Sequence, residues 1–327
     1  MKSIGYVART VLSLMIIISF VLAGCMERGE KPDAGHRGKL RGTITISGAF
    51  ALYPITVKWA EEFQKIYPRV RIDVSAGGAG KGMMDALSGM VDLGMISRGI
   101  TQPEIDKGAW FVAVTKDAVV PTINARNPYL YDILARGVTK KTFQDIFINQ
   151  TITDWNLYYN ENLLANKMNV YTRSDACGAA EMWGEFLGKN QESLAGVGVF
   201  GDPGMADAIK NDVFGIGYNN ISYVYDMTTR MKRKGMEVIP IDLNTNGSLD
   251  TNENFYGTLD GIIAAIKDGR YPSPPARDLY FVSKGKPKSE VVIAFLRWIL
   301  TDGQQYVTES GYVYLSDEKI RNELMKL

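Results

Sequence analysis

The chain has 327 residues, with 37 basic against 36 acidic side chains and a formal net charge of +1. That balance gives no electrostatic footprint for nucleic acid, and the length suits two domains of ordinary size. A single histidine, His36, and two cysteines, Cys25 and Cys177, exclude a Ser–His–Asp triad, a Cys–His pair and a histidine zinc site from any fold that leaves His36 outside it.

Residues 1–24 read as a lipoprotein signal peptide. Lys2 and Arg9 are basic, Val11–Leu22 is apolar but short for a spanning helix, and Leu22-Ala23-Gly24-Cys25 sets small residues before a thiol. The expectation is an extracytoplasmic domain held to the outer face of the cell membrane by a lipid on Cys25. Residues 25–41 are polar, carry His36 and read as a flexible tether. With Cys25 lipidated, Cys177 has no disulfide partner.

From there the chain alternates strands and helices. Thr43–Ser47 reads as a strand, Gly48–Ala51 as a small-residue turn and Tyr53–Tyr67 as a helix, with Trp59, Phe63 and Ile66 at helical spacing and Pro54 tolerated in its first turn. Arg69–Val74 is a strand, Ala76–Gly82 a second small-residue turn, Met83–Ser88 the start of a helix and Val91–Met95 a third strand. This β-α-β-α-β pattern implies a parallel sheet covered by helices, with ligands beyond the carboxyl ends of the strands. The glycine-rich turn is not a P-loop: Gly82 follows Lys81, and Ser75 stands where the first glycine belongs.

Further on, Phe111–Ile123 holds two β-rich runs around Lys116-Asp117, and Thr139 caps a helix to Phe147. A second β-α series begins near Met168. It includes a helix over Met205–Lys210, a strand at Gly215–Tyr218 and a strand at Val238–Ile241. After the helix Gly257–Lys267 come a stiff Pro272–Pro275 link, a strand Arg277–Val282 and a helix Ser289–Leu300; Gln304–Val307 begins the last helix. Two series joined by crossings near Ala118–Ile123 and Asp278–Val282 suggest two α/β lobes, residues 42–118 plus 277–327 and residues 119–276, with a ligand cleft between them.

One stretch is an anion site by construction. Val170-Tyr171-Thr172 leads into Arg173-Ser174-Asp175-Ala176-Cys177-Gly178-Ala179, and a helix to about Leu187 leads out. A guanidinium at a strand end then stands beside helix-opening N–H groups, which have no internal partner and sit at the positive end of the helix dipole. The competing reading is a plain strand–helix turn with an Arg–Asp surface pair. Cys177 lies near an arginine but has no base, so catalysis is not expected and no catalytic cofactor is required.

A second candidate is Asp242–Glu253, which fits the twelve-residue calcium loop. Asp242, Asn244, Asn246, Ser248 (through its carbonyl), Asp250 and Glu253 are the expected ligands, with Gly247 at the sharp bend. A structural calcium ion is expected there; the alternative is a solvated Asn/Gly-rich turn.

Seven motifs in order then carry a family likeness: Ser47–Pro54, Val91–Arg98, Ile152–Trp155, Arg173–Asp175, Phe214–Tyr218, Tyr271-Pro272 and Arg277–Val282. Together they resemble the phosphate-binding proteins of ABC phosphate importers, over most of residues 42–315. The resemblance implies a type II periplasmic-binding-protein fold, solute capture without catalysis and a membrane permease as partner. It implies that Arg173 holds the anion with Asp175 as its partner, and that Leu52, Tyr53, Ala79, Ser97, Cys177, Gly178 and Ala179 occupy the other ligand positions. Four of these depart from the family pattern. Leu52 stands where Thr or Ser is usual, Ala79 near a usual Ser, and Cys177 and Ala179 at a usual Ser and Thr. The implied ligand is an inorganic oxyanion, phosphate first; the alternative is a binding or sensing module of the same fold for molybdate, tungstate, sulfate or a carboxylate.

Overall fold

The computed structural model describes residues 40–157 and 166–327. The signal peptide, Cys25 and most of the tether lie outside the described residues.

Strand β1 (Gly42–Gly48) lies between β2 (Val70–Ala76) and β3 (Leu93–Ile96), parallel to both. Helix α1 (Tyr53–Ile66) carries Pro54 in its first turn and buries Ile55, Trp59 and Phe63 along one face. The Trp59 indole donates to the Gly303 carbonyl at 2.8 Å, tying this helix to the far end of the chain. Helix α2 (Ala79–Ser88) begins four residues before the expected Met83, inside the small-residue run. The reason is close packing: a Cβ on Gly82 would lie 2.8 Å from the Gly48 Cα, and one on Gly94 would lie 2.3 Å from the Gly82 carbonyl. The glycines let α2 press onto β1 and β3, and Lys81 pairs with Asp85.

Helix α3 (Gln102–Asp106) is closed by a Thr101–Glu104 capping box. Strand β4 (Ala109–Asn124) follows as one strand of 16 residues, where the sequence suggested two runs. The polar pair Lys116-Asp117 does not break it, because both residues are paired in the ladder: Lys116 bridges Val313, and Asp117 faces Arg277. Next come α4 (Leu130–Arg136), β5 (Val138–Thr139) and α5 (Lys140–Phe147), the last capped by the Thr139 side chain.

The second series is β6 (Asn169–Arg173), α6 (Gly178–Phe186), β7 (Val197–Val199), α7 (Gly201–Asn211) and β8 (Gly215–Asn220). Here β6 is parallel to both β7 and β8. Helix α8 (Ile221–Val224), β9 (Met236–Val238), β10 (Ile241–Asp242) and α9 (Leu259–Asp268) complete this half. Strand β11 (Ala276–Lys284) then pairs antiparallel with β4 along its whole length, with a bulge between Leu279 and Tyr280. Helix α10 (Glu290–Ile299) packs back onto the first half. Gln304–Val307 belongs to a 3-10 turn rather than a last helix; Gly311, at φ +84°, ends that segment, and α11 (Asp317–Lys326) starts anew with Ser316 as its cap.

The nine-stranded sheet has the order β2-β1-β3-β11-β4-β8-β6-β7, with β9 also on β4. Its side chains form two buried clusters. One gathers Ile44, Trp59, Phe63, Val112, Val114, Leu279, Phe281 and Phe295. The other gathers Val119, Val120, Phe143, Phe147, Trp183, Ile216 and Ile262. Strands β4 and β11 contribute to both, so the molecule is two lobes joined by a two-stranded crossing at Asp117 and Arg277.

Candidate functional site

Arg173 ends β6, and its side chain is 1 % exposed. Nε and Nη2 donate to the two Asp175 oxygens at 2.8 and 2.7 Å, and Nη1 donates to Asp202 Oδ2 at 2.9 Å. Asp202, in the first turn of α7, also accepts from Asn220 Nδ2 at 2.6 Å. Burial opposes the Arg173 charge, but Asp202 and Asp175 outweigh it and hold the guanidinium above its ordinary range. The Arg–Asp pair is therefore a buried, doubly answered cation and not a surface pair.

Cys177 caps α6, its Sγ accepting from the Ala180 N–H at 3.4 Å. Burial pushes its thiol up to about 12 against the pull of Arg173, so at neutral pH it is a protonated small residue and not a nucleophile. The N–H groups of Gly178 and Ala179 open this nine-residue helix without intrahelical acceptors.

The other lobe meets this turn directly. Ser97 follows β3 and packs on Gly178, where a Cβ would lie 2.3 Å from the Ser97 hydroxyl. Gly80 N–H, in the first turn of α2, donates to the Ala176 carbonyl at 3.1 Å, and Gly78 faces Asp175. Ala79, between them, is buried. Phe50 stands 5.8 Å from the Arg173 guanidinium and packs edge-on against Phe200 at 6.0 Å. The Tyr223 hydroxyl donates to the Phe50 carbonyl at 3.3 Å. Its phenol is pushed up by burial first and by Asp202 second, against the lowering pull of Arg173. Strand ends and helix starts from both lobes thus close around Arg173.

Arg173, Asp175, Cys177, Gly178, Ala179, Ser97 and Ala79 are brought to one place, with Tyr53 near its edge. Leu52 is different: it is fully buried at the start of α1, its N–H donates to Ala49, and its carbonyl takes the Thr56 hydroxyl. The Tyr53 N–H donates to Phe50 at 3.3 Å, so this turn's donors serve the turn itself. Sequence reasoning missed Asp202, Asn220, Tyr223 and Phe50. The local signals were Asp202-Pro203-Gly204 at a helix entry and, for Phe50, its place in the Ser47–Pro54 motif.

The Asp242–Glu253 loop is separate from this site. Asp242 and Glu253 are buried, while Asn244, Asn246, Ser248 and Asp250 are exposed. Asp242 accepts the N–H groups of Thr245 and Gly247, Glu253 those of Leu243 and Asn244, and Asp250 the Asn244 and Asn246 amides. Among the described residues no group of three or more His, Cys, Asp or Glu side chains gathers as for a metal.

A doubly lobed α/β molecule crossed by two strands, with helix starts of both lobes meeting at Arg173, is a type II periplasmic-binding-protein fold. The chain belongs to the PBP superfamily, whose domain model matches residues 33–303. It is 24% identical to the phosphate-binding protein PstS of Methanocaldococcus jannaschii, over 94% of this chain and 92% of that one. It is also 24% identical to the phosphate-binding protein PstS3 of Mycobacterium bovis, over 89% and 86%. Among solved structures it is similar to a phosphate ABC transporter substrate-binding protein with bound phosphate from Clostridium perfringens, with TM-score 0.67 and 21% identity over 84% of this chain and all of that one. An ABC-type phosphate transport receptor from Vibrio cholerae follows, with TM-score 0.60 and 19% identity over 83% and 100%.

Proposed function

We propose that this protein is an extracytoplasmic solute-binding lipoprotein that captures an inorganic oxyanion, phosphate first, and hands it to the membrane permease of an ABC importer. The observation that carries the reading is the buried Arg173 at a strand end, locked by Asp175 and Asp202, beside the N–H groups that open α6. A guanidinium held this way presents its remaining N–H groups in a fixed direction, so an anion is bound without reorganising the site. The relatives named for phosphate binding support the choice of ligand.

The reading is of binding without chemistry: Cys177 stays protonated, and its turn offers no base. The alternative ligand is another small anion such as sulfate, molybdate, tungstate or a carboxylate. It is favoured by Leu52, Ala79, Cys177 and Ala179, which supply no hydroxyl donors to a fully dehydrated phosphate. Titration calorimetry with phosphate, sulfate, molybdate and acetate tests both. Phosphate binding at micromolar levels supports the first reading, and tighter binding of another anion selects the second. The lipid on Cys25 and a structural calcium ion in the Asp242–Glu253 loop are parts of the same proposal.

A further inference from the structure

Arg277 lies at the middle of the strand crossing and has no part in the reading above. It is 5% exposed. Its Nη2 donates to Asp117 Oδ2 at 3.4 Å and to Asn220 Oδ1. Its Nε and Nη1 are buried and find no acceptor among the described residues. Buried N–H groups of a cation are strongly unfavourable without a partner, so two of them on one side chain mark a position where an acceptor arrives.

The surroundings say which acceptor. Asn220 donates to Asp202 and accepts from Arg277, so an unbroken chain of hydrogen bonds joins Arg173, Asp202, Asn220 and Arg277. That chain places Arg277 one residue away from Asp202, the partner of Arg173, while burial lowers its pKa against the raising pull of Asp117 and Asp202. Arg173, meanwhile, is already answered by two carboxylates. An anion arriving beside Arg173 alone meets more negative than positive charge, and the four hydroxyl-free positions offer it no side-chain hydroxyl in return. A second guanidinium supplies free N–H donors, and its charge is answered by the single carboxylate of Asp117 where Arg173 has two.

We propose that Arg277 is a second guanidinium of the binding site, donating through Nε and Nη1 to the bound oxyanion and taking the place of the missing hydroxyl donors. The proposal rests on the oxyanion reading and names the residue that makes it workable in this chain. It also accounts for a cation on a strand shared by both lobes: an anion bound there touches the crossing as well as the cleft walls.

The test is phosphate titration calorimetry on the wild-type protein and on Arg277→Lys and Arg277→Met, with circular dichroism and melting curves to confirm folding. Arg277→Met is expected to bind phosphate at least about tenfold more weakly, with Arg277→Lys between it and the wild type. A folded Arg277→Met with affinity within about twofold of wild type overturns the proposal. If Arg277→Met does not fold, a crystal structure of the wild type grown with phosphate decides. A phosphate oxygen within about 3.2 Å of Nε or Nη1 supports the proposal, and water or a protein acceptor on both atoms overturns it. A wild type that binds neither phosphate, sulfate nor molybdate overturns the oxyanion reading itself and this inference with it.

Discussion

At the scale of residues, the site is a ledge of charges that answer one another. Arg173 is the keystone, because removing it strands two buried carboxylates, Asp175 and Asp202, with side chains 7% and 3% exposed. Breaking a buried pair from one side costs about 3–5 kcal/mol. Arg173→Ala should therefore lower the unfolding free energy by about that much in urea titrations, as well as abolish anion binding. A loss under about 1 kcal/mol would show that the carboxylates do not depend on it. Asp117 supplies a second prediction. Burial pushes its carboxyl up to about 7, against the lowering pull of Arg277. The unfolded chain releases that proton near the ordinary 3.8, so between about 3.8 and about 7 the folded state holds more protons. Stability contributed by this group is thus lost as pH rises across that window. The urea midpoint of the wild type should fall relative to Asp117→Asn between about pH 4 and pH 8, and a constant gap would rule the titration out.

At the scale of elements, turns written in glycine do two different jobs. In the run that opens α2 they allow close contact with the strands, so Gly82→Ala should destabilise by about 1–3 kcal/mol through overpacking against Gly48. Chemical denaturation reads this directly. In the Asp242–Glu253 loop, Gly247 sits at φ +76° in a bend closed by backbone N–H groups on carboxylates. If this loop takes calcium, the melting temperature rises with millimolar calcium and falls with chelator, and Glu253→Gln removes the difference; identical curves would count against the ion. Much of this scale could be read from the chain itself. The β-branched runs, the Thr139 cap and the Arg173 turn follow from local chemistry. The unbroken β4 did not: Lys116-Asp117 looks like an interruption until Arg277, 160 positions on, supplies the partner for Asp117. Asp202 and Asn220 were hidden for the same reason, since they meet Arg173 and Arg277 across 29 and 57 positions of sequence.

At the scale of the whole molecule, the two hydrophobic clusters have unequal chain histories. The one around Trp183 and Ile262 is drawn, apart from Val313, from residues 118–276. The one around Trp59 and Phe63 takes its strands from both ends of the sequence. Trp59 reaches Gly303 across 244 positions, and the Tyr312 hydroxyl reaches the Ala51 carbonyl at 2.6 Å across 261. Contacts this remote close large loops late and slowly. A chain made from its amino terminus therefore carries Ile44, Trp59 and Phe63 unsheltered until nearly everything else has been synthesised, while the middle segment is free to condense first. Stalled chains ending near residue 285 should show protease protection across 118–276 and none across 42–100. The two-stranded crossing thus sets the order of assembly: it withholds the finished form from an unfinished chain until β11, its last strand, is made and pairs with β4.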